Sequence, residues 1–215
     1  MALLSDFAST ITYVTYIFSN SLLYPVMILL IILAITSLIL AGEFVTEYTR
    51  RNRQPDELNK VIKQVYKLMT SGNENKLEEA SSLLRTLKYQ TQYVLSFAFD
   101  VAKLTEKNEL DGIDRLADSY ETKMMKRVER TRLITTVAPM LGLMATLIPL
   151  GPALIGLTSG NIEALATNLV IAFTTTVVGL FAAGICFSLT IVRNRWYWQD
   201  SRDIDNIINA LEGQK

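Results

Sequence analysis

The stretch LITTVAPMLGLMATLIPLGPALIGLTSGNIEALATNLVIAFTTTVVGLFAAGICFSLTIV, Leu133 to Val192, holds one charged side chain, Glu163, in sixty positions. A helix crosses a hydrocarbon core of about 30 Å with about 20 apolar residues, so sixty are too many for one crossing. Ser159-Gly160-Asn161 supplies a polar turn near the middle. The stretch therefore reads as two spans, 133–157 and 165–192, joined by a hairpin at 158–164. Pro139, Pro149 and Pro152 lie in the first of the two with Gly142, Gly151 and Gly156. A bundle tolerates them because neighbouring helices and hydroxyls re-satisfy the freed backbone groups, and a kink is expected there.

A separate apolar run, Leu22 to Phe44, is also long enough to cross. It starts too far into the chain for a secretory signal, has no basic region before it, and is followed by Glu43 and Arg50-Arg51 rather than a small-residue cleavage site. The expected fold class is therefore all-α and integral to a membrane, with three transmembrane helices.

Composition agrees: half of the residues are hydrophobic although a fifth are charged, and mean hydropathy is positive. The 21 basic and 21 acidic residues balance, and no basic stripe interleaved with aromatics offers a nucleic-acid surface. There is no histidine, and the single Cys186 sits inside an apolar run. No metal cluster or nucleophile–base pair is visible, so neither an enzyme nor a cofactor is expected.

Basic residues set the orientation. Arg50, Arg51 and Arg53 follow the first span, Lys126, Arg127, Arg130 and Arg132 precede the second, and Arg193 and Arg195 follow the third. Residues 1–21 and the hairpin carry no Lys or Arg. The positive-inside rule puts the amino-terminal segment and the hairpin outside, and loop 45–132 and tail 193–215 on the cytoplasmic face of a cell membrane. Trp196, Tyr197 and Trp198 read as an interfacial aromatic anchor.

The inside loop has helical periodicity. Pro55-Asp56-Glu57 marks a start, and Leu58, Val61, Ile62, Val65, Leu68 and Met69 recur until Ser71-Gly72-Asn73 interrupts. Leu77, Ala80, Leu83, Leu84 and Leu87 form a second face, and Val94, Ala98, Val101, Ala102 and Leu104 a third. From Leu110, the positions Ile113, Leu116, Ala117, Tyr120, Met124 and Val128 keep the period into the second span without a breaker, so one long helix should continue that span. Lys123, Lys126, Arg127, Glu129 and Arg130 read as a solvated face with intrahelical pairs. Ile204, Ile207, Ile208 and Leu211 mark an amphipathic tail that can join the same bundle.

Polar residues inside the spans need a reason. Gly142 and Thr146 share one helix face, and Asn168, Thr175, Gly179, Ala183 and Cys186 share another, with Thr176 at its edge. Two readings are open. Small residues and hydroxyls can glue helices together, or several copies can line a polar pore that receives a partner's ionisable group.

Ala138-Pro139-Met140-Leu141-Gly142-Leu143-Met144-Ala145-Thr146 resembles the Ala-Pro-Leu-Leu-Gly-Leu-Leu-Gly-Thr stretch of the MotA/TolQ/ExbB proton-channel family, and Thr175-Thr176-Val177-Val178-Gly179-Leu180 resembles its Ala-Thr-Ala-x-Gly-Leu stretch. The span order and inside loop resemble the TolQ/ExbB branch. The resemblance implies a homo-pentamer whose second and third spans surround ExbD/TolR-like single-span partners bearing a membrane aspartate, with Thr146 and Thr176 as pore threonines. Its output would be transport or envelope maintenance. The last-span glutamate that some members carry is replaced here by Ile171. Glu163 reads instead as a helix-start charge and Glu43 as a group snorkelling to the interface.

Overall fold

The computed structural model describes residues 2–51, 55–70, 75–86, 91–106 and 112–212. Arg53, the Ser71-Gly72-Asn73 interruption, Leu87 and Leu110 lie outside them. The described residues form seven helices: α1 (Ala2–Ser21), α2 (Leu23–Arg50), α3 (Pro55–Thr70), α4 (Lys76–Arg85), α5 (Gln92–Glu106), α6 (Ile113–Thr158) and α7 (Ile162–Glu212). Three stretches, Tyr13–Arg50, Ile113–Thr158 and Ile162–Glu212, are long and apolar enough to cross a membrane. The all-α, three-span expectation therefore stands.

The chain divides into two compact units, 1–42 with 130–189 and 43–129 with 190–215. Only Asp6, Arg130, Arg132 and Glu163 are charged in the first, which we call the apolar unit; the second is the charged unit.

In the apolar unit, Val26 and Leu30 of α2 pack with Leu141 and Ala145 of α6, flanked by Leu22, Leu33, Val137 and Val178. Residues 1–21 do more than precede the first span. Residues 2–21 are helical as α1, and the Leu22 amide still donates to the Phe18 carbonyl at 3.2 Å, so α1 runs almost directly into α2. Between α6 and α7 the hairpin works as its sequence suggests. Gly160 takes φ 73°, a left-handed conformation cheap only for residues without a Cβ. Asn161 Oδ1 then accepts the Ala164 amide at 3.0 Å, capping α7. Glu163 occupies the first turn of α7, where the helix dipole favours a negative charge. Helix α6 continues through Pro139, Pro149 and Pro152.

In the charged unit the expected faces assemble into one core. Leu58 and Val65 of α3, Ala80 and Leu84 of α4, and Val94, Phe97, Ala98, Val101 and Ala102 of α5 meet Ile113, Ala117, Tyr120 and Met124 of α6 and Ile204, Ile207 and Leu211 of α7. At 46 residues, α6 is more than twice the roughly 20 that a crossing takes, so the helix continuing the second span is present. The tail after the third span is the uninterrupted end of the 51-residue α7.

The aromatic anchor needs correction. Tyr197 is buried in the core of the charged unit and Trp196 packs against it; only Trp198 stays open, 59% exposed, with the Arg202 guanidinium 3.7 Å from its ring centroid.

Candidate functional site

The buried face of α7 repeats at alternating steps of three and four residues through the apolar unit: Ala172, Thr175, Gly179, Ala182, Cys186 and Leu189. Such seven-residue spacing keeps one stripe against its neighbour. The facing stripe on α6 is Ile134, Ala138, Leu141 with Gly142, and Ala145.

Gly142 and Gly179 meet where the two stripes cross. A Cβ built on Gly179 would lie 2.8 Å from the Ala138 carbonyl oxygen and 3.2 Å from Gly142 Cα, and one on Gly142 would lie 3.6 Å from the Thr175 carbonyl oxygen and 3.7 Å from Thr176 Cα. The helices thus touch backbone to backbone. That close approach recovers dispersion that lipid-soluble side chains cannot gain by leaving lipid.

The polar residues split into two groups around this contact. Thr175 is buried on the stripe, whereas Thr146 and Thr176 are half-buried at its edges, and Asn168 is half-buried nearer the hairpin end of α7. Every one of them bonds within its own helix. The Thr146 hydroxyl donates to the Leu143 carbonyl at 2.7 Å, Thr175 to Ile171 and Ala172 at 2.9 Å, Thr176 to Ala172 at 3.0 Å, and the Asn168 amide to Ala164 at 2.9 Å. These four side chains therefore do not join α6 to α7; the closest approach of the two helices described here is at the glycines.

A second polar cluster, within the charged unit, escaped the sequence reading. Arg193 is fully buried, its Nε donates to Glu47 at 3.3 Å, and its guanidinium lies 6.0 Å from the Phe44 ring centroid. The Tyr197 hydroxyl donates to the other Glu47 oxygen at 2.9 Å. Arg51 grips Asp200 through both nitrogens at 2.8 and 3.2 Å while lying over Trp196. Arg127 is only partly solvated: it reaches Glu43 at 3.7 Å, Glu47 at 3.9 Å and the Tyr93 hydroxyl at 3.3 Å. Glu43 thus has a partner as well as an exposed face.

Burial, reinforced by Glu47, pushes the Tyr197 hydroxyl above its ordinary range. Burial alone would lower Arg127, but the Tyr197, Tyr93 and Glu47 oxygens outweigh it and hold it more firmly charged. A signal for this cluster was available. Glu47 follows Leu40 by seven residues and Arg193 follows Leu189 by four, so each charge falls on the buried phase of its helix.

The model of the MotA/TolQ/ExbB proton channel family matches residues 79–197, more than half of the chain. The chain belongs to this family. Comparison with curated proteins and with solved structures gives no match. The match runs from α4 to Tyr197 and includes Gly142, Thr146, Asn168, Thr175, Thr176, Gly179 and Arg193; it leaves out α1, α2 and α3. Membership, together with the three apolar helices, makes this a multi-pass membrane protein of a proton-channel family.

Proposed function

We propose that the chain is the wall-forming subunit of an ion-driven motor, working as a homo-pentamer around an ExbD/TolR-like partner with one transmembrane helix. Its amino terminus and hairpin face outside and its charged unit faces the cytoplasm. Thr146 and Thr176 are the pore threonines, with Asn168 and Thr175 continuing the polar lining and Gly142 and Gly179 setting its backbone. The motor drives transport or envelope maintenance.

The observation that carries this reading is the placement of Thr146 and Thr176 at the edges of the buried stripe, where another chain can reach them, while Thr175 is used up inside it. A charge crossing the membrane gains about 2.3 kcal/mol per 100 mV. The last two spans carry no carboxylate, Glu163 lying at the hairpin. The titrating group must therefore come from the partner, whose membrane aspartate supplies it.

The test is ion flux through the chain reconstituted with its partner. Thr176→Val keeps shape and removes the hydroxyl, so partner-dependent flux should be lost while the oligomer, sized in detergent, is unchanged. Undiminished flux in that variant and in Thr146→Val would refute the pore assignment.

A further inference from the structure

Helix α6 carries a further threonine that neither the pore reading nor the glycine contact uses. Thr135 precedes Thr146 by eleven residues. Eleven residues are close to three turns, so the two differ by only about 20° around the helix, and Thr135 lies about 16 Å nearer its amino-terminal end. Pro139 falls between them on the same face, and all three are half-buried.

Thr135, Thr146 and Thr176 each follow a buried stripe residue: Ile134, Ala145 and Thr175. Two antiparallel helices packed stripe to stripe turn the residue that follows toward the same side of the pair. The opposite side is occupied, because Val137 of α6 and Val178 of α7 pack there with Val26 and Leu30 of α2. Val137 stands about 200° around the helix from Thr135, as Val178 does from Thr176. The three threonines therefore share the side that α2 does not cover.

Thr135 differs from the other two in its backbone. Its hydroxyl donates to the Thr131 carbonyl at 2.9 Å, which leaves the oxygen free to accept. Four residues on stands Pro139, which has no N–H for the Thr135 carbonyl. The same place after Thr146 and Thr176 is held by Leu150 and Leu180, each with its amide. A carbonyl freed within a span is costly unless something donates to it. Thr135 thus offers two acceptors, one from its side chain and one from its backbone, a few residues inside the start of the apolar run at Leu133.

We propose that Thr135 holds a water molecule at the inner end of the ion path, its hydroxyl oxygen and freed carbonyl accepting two hydrogens. The proposal rests on the pore reading above. The O–H bond of the partner's carboxyl breaks, the carboxylate keeps the electron pair, and the proton passes along water to the molecule at Thr135. There it forms a third O–H bond. Two of the three hydrogens are held and the third is released to the solvent. Arg132, exposed three residues nearer the amino-terminal end, disfavours a cation at rest, so the site passes charge on rather than storing it.

The experiment measures ion flux through the chain reconstituted with its partner. Thr135→Val keeps the shape without the hydroxyl and should lower partner-dependent flux about tenfold, as loss of one hydrogen bond at a barrier does. Pro139→Ala returns an amide to the Thr135 carbonyl and should lower flux while the thermal midpoint holds or rises. Thr135→Ser should keep flux near that of the parent, and Thr136→Val, at an exposed position about 100° away, should leave it unchanged. Wetness is read separately. In a Cys186→Ser background, with a charged methanethiosulfonate on both faces of the membrane, Thr135→Cys should be labelled and Val137→Cys should not. Full flux in Thr135→Val where Thr176→Val blocks it overturns this inference alone; full flux in both overturns the pore reading with it. A loss that Thr135→Ser shares, full flux in Pro139→Ala, or a Thr135→Cys no more reactive than Val137→Cys also overturns the assignment.

Discussion

The two ends of α7 keep one spacing and opposite chemistry. In the apolar unit its buried stripe is Ala172, Thr175, Gly179, Ala182 and Cys186; in the charged unit the stripe continues as Arg193, Tyr197, Asp200, Ile204 and Ile207. Where the surroundings are as apolar as leucine, burying a large side chain gains little, and helices are held by small residues that admit close approach. Where water surrounds the bundle, burying bulky apolar groups drives packing. Charges can then be carried inside only as hydrogen-bonded pairs, as Arg193–Glu47 and Arg51–Asp200 are. One helix thus obeys two packing rules in turn.

The contrast breaks most visibly at Glu47. Glu47→Leu leaves the buried Arg193 without its carboxylate and should cost about 3–5 kcal/mol of stability in detergent. Adding Arg193→Met should recover most of that loss, and a double variant no better than Glu47→Leu would show that the pair is not the cause. In the apolar half, Gly179→Ala drives a Cβ to 2.8 Å from backbone and should cost about 1–3 kcal/mol in thermal unfolding. Gly184→Ala, with nothing within 4 Å, should be neutral or slightly stabilising because alanine favours a helix over glycine; the same effect at both positions would mean that close approach at Gly179 does not decide.

The smallest effect is expected at exposed Asp205, whose carboxyl is raised by burial and then by Glu121. A raised carboxyl is disfavoured as an anion in the folded state, so its penalty is present at neutral pH and vanishes below the ordinary aspartate value of about 3.9. Asp205→Asn should therefore raise the midpoint slightly at pH 7 and not at pH 3. A gain that persists in acid would exclude this electrostatic origin.

Much of the fold was legible because apolar period and length speak for themselves. The spans, the faces of α3, α4 and α5, and the joining of Ile204 and Ile207 to the core of the charged unit all follow from spacing. Gly142 and Gly179 could be placed on faces from the sequence, but their mutual contact is a property of how two helices cross. The threonines were visible as residue types; that Thr175 is buried and Thr176 sits at the edge is a matter of about 100° of helix rotation. The Glu47–Arg193 pair was missed because 146 residues separate the partners, and because arginines beyond a span are ordinarily read as topology signals. Tyr197 was misread for a related reason, since an aromatic cluster after a span looks the same whether it meets headgroups or a protein core.

The hydroxyls of Thr146 and Thr176 carry a further consequence. Each gives its only hydrogen to a carbonyl of the preceding turn, so the oxygen it turns away from its own helix has lone pairs alone to offer. While those bonds hold, such a surface receives hydrogen and does not give it. A carboxylic acid approaching it is welcomed as the protonated form, which brings a hydrogen of its own, and meets only repelling electron density once that hydrogen has gone. Two hydroxyls without charge can in this way distinguish the loaded from the emptied state of whatever faces them.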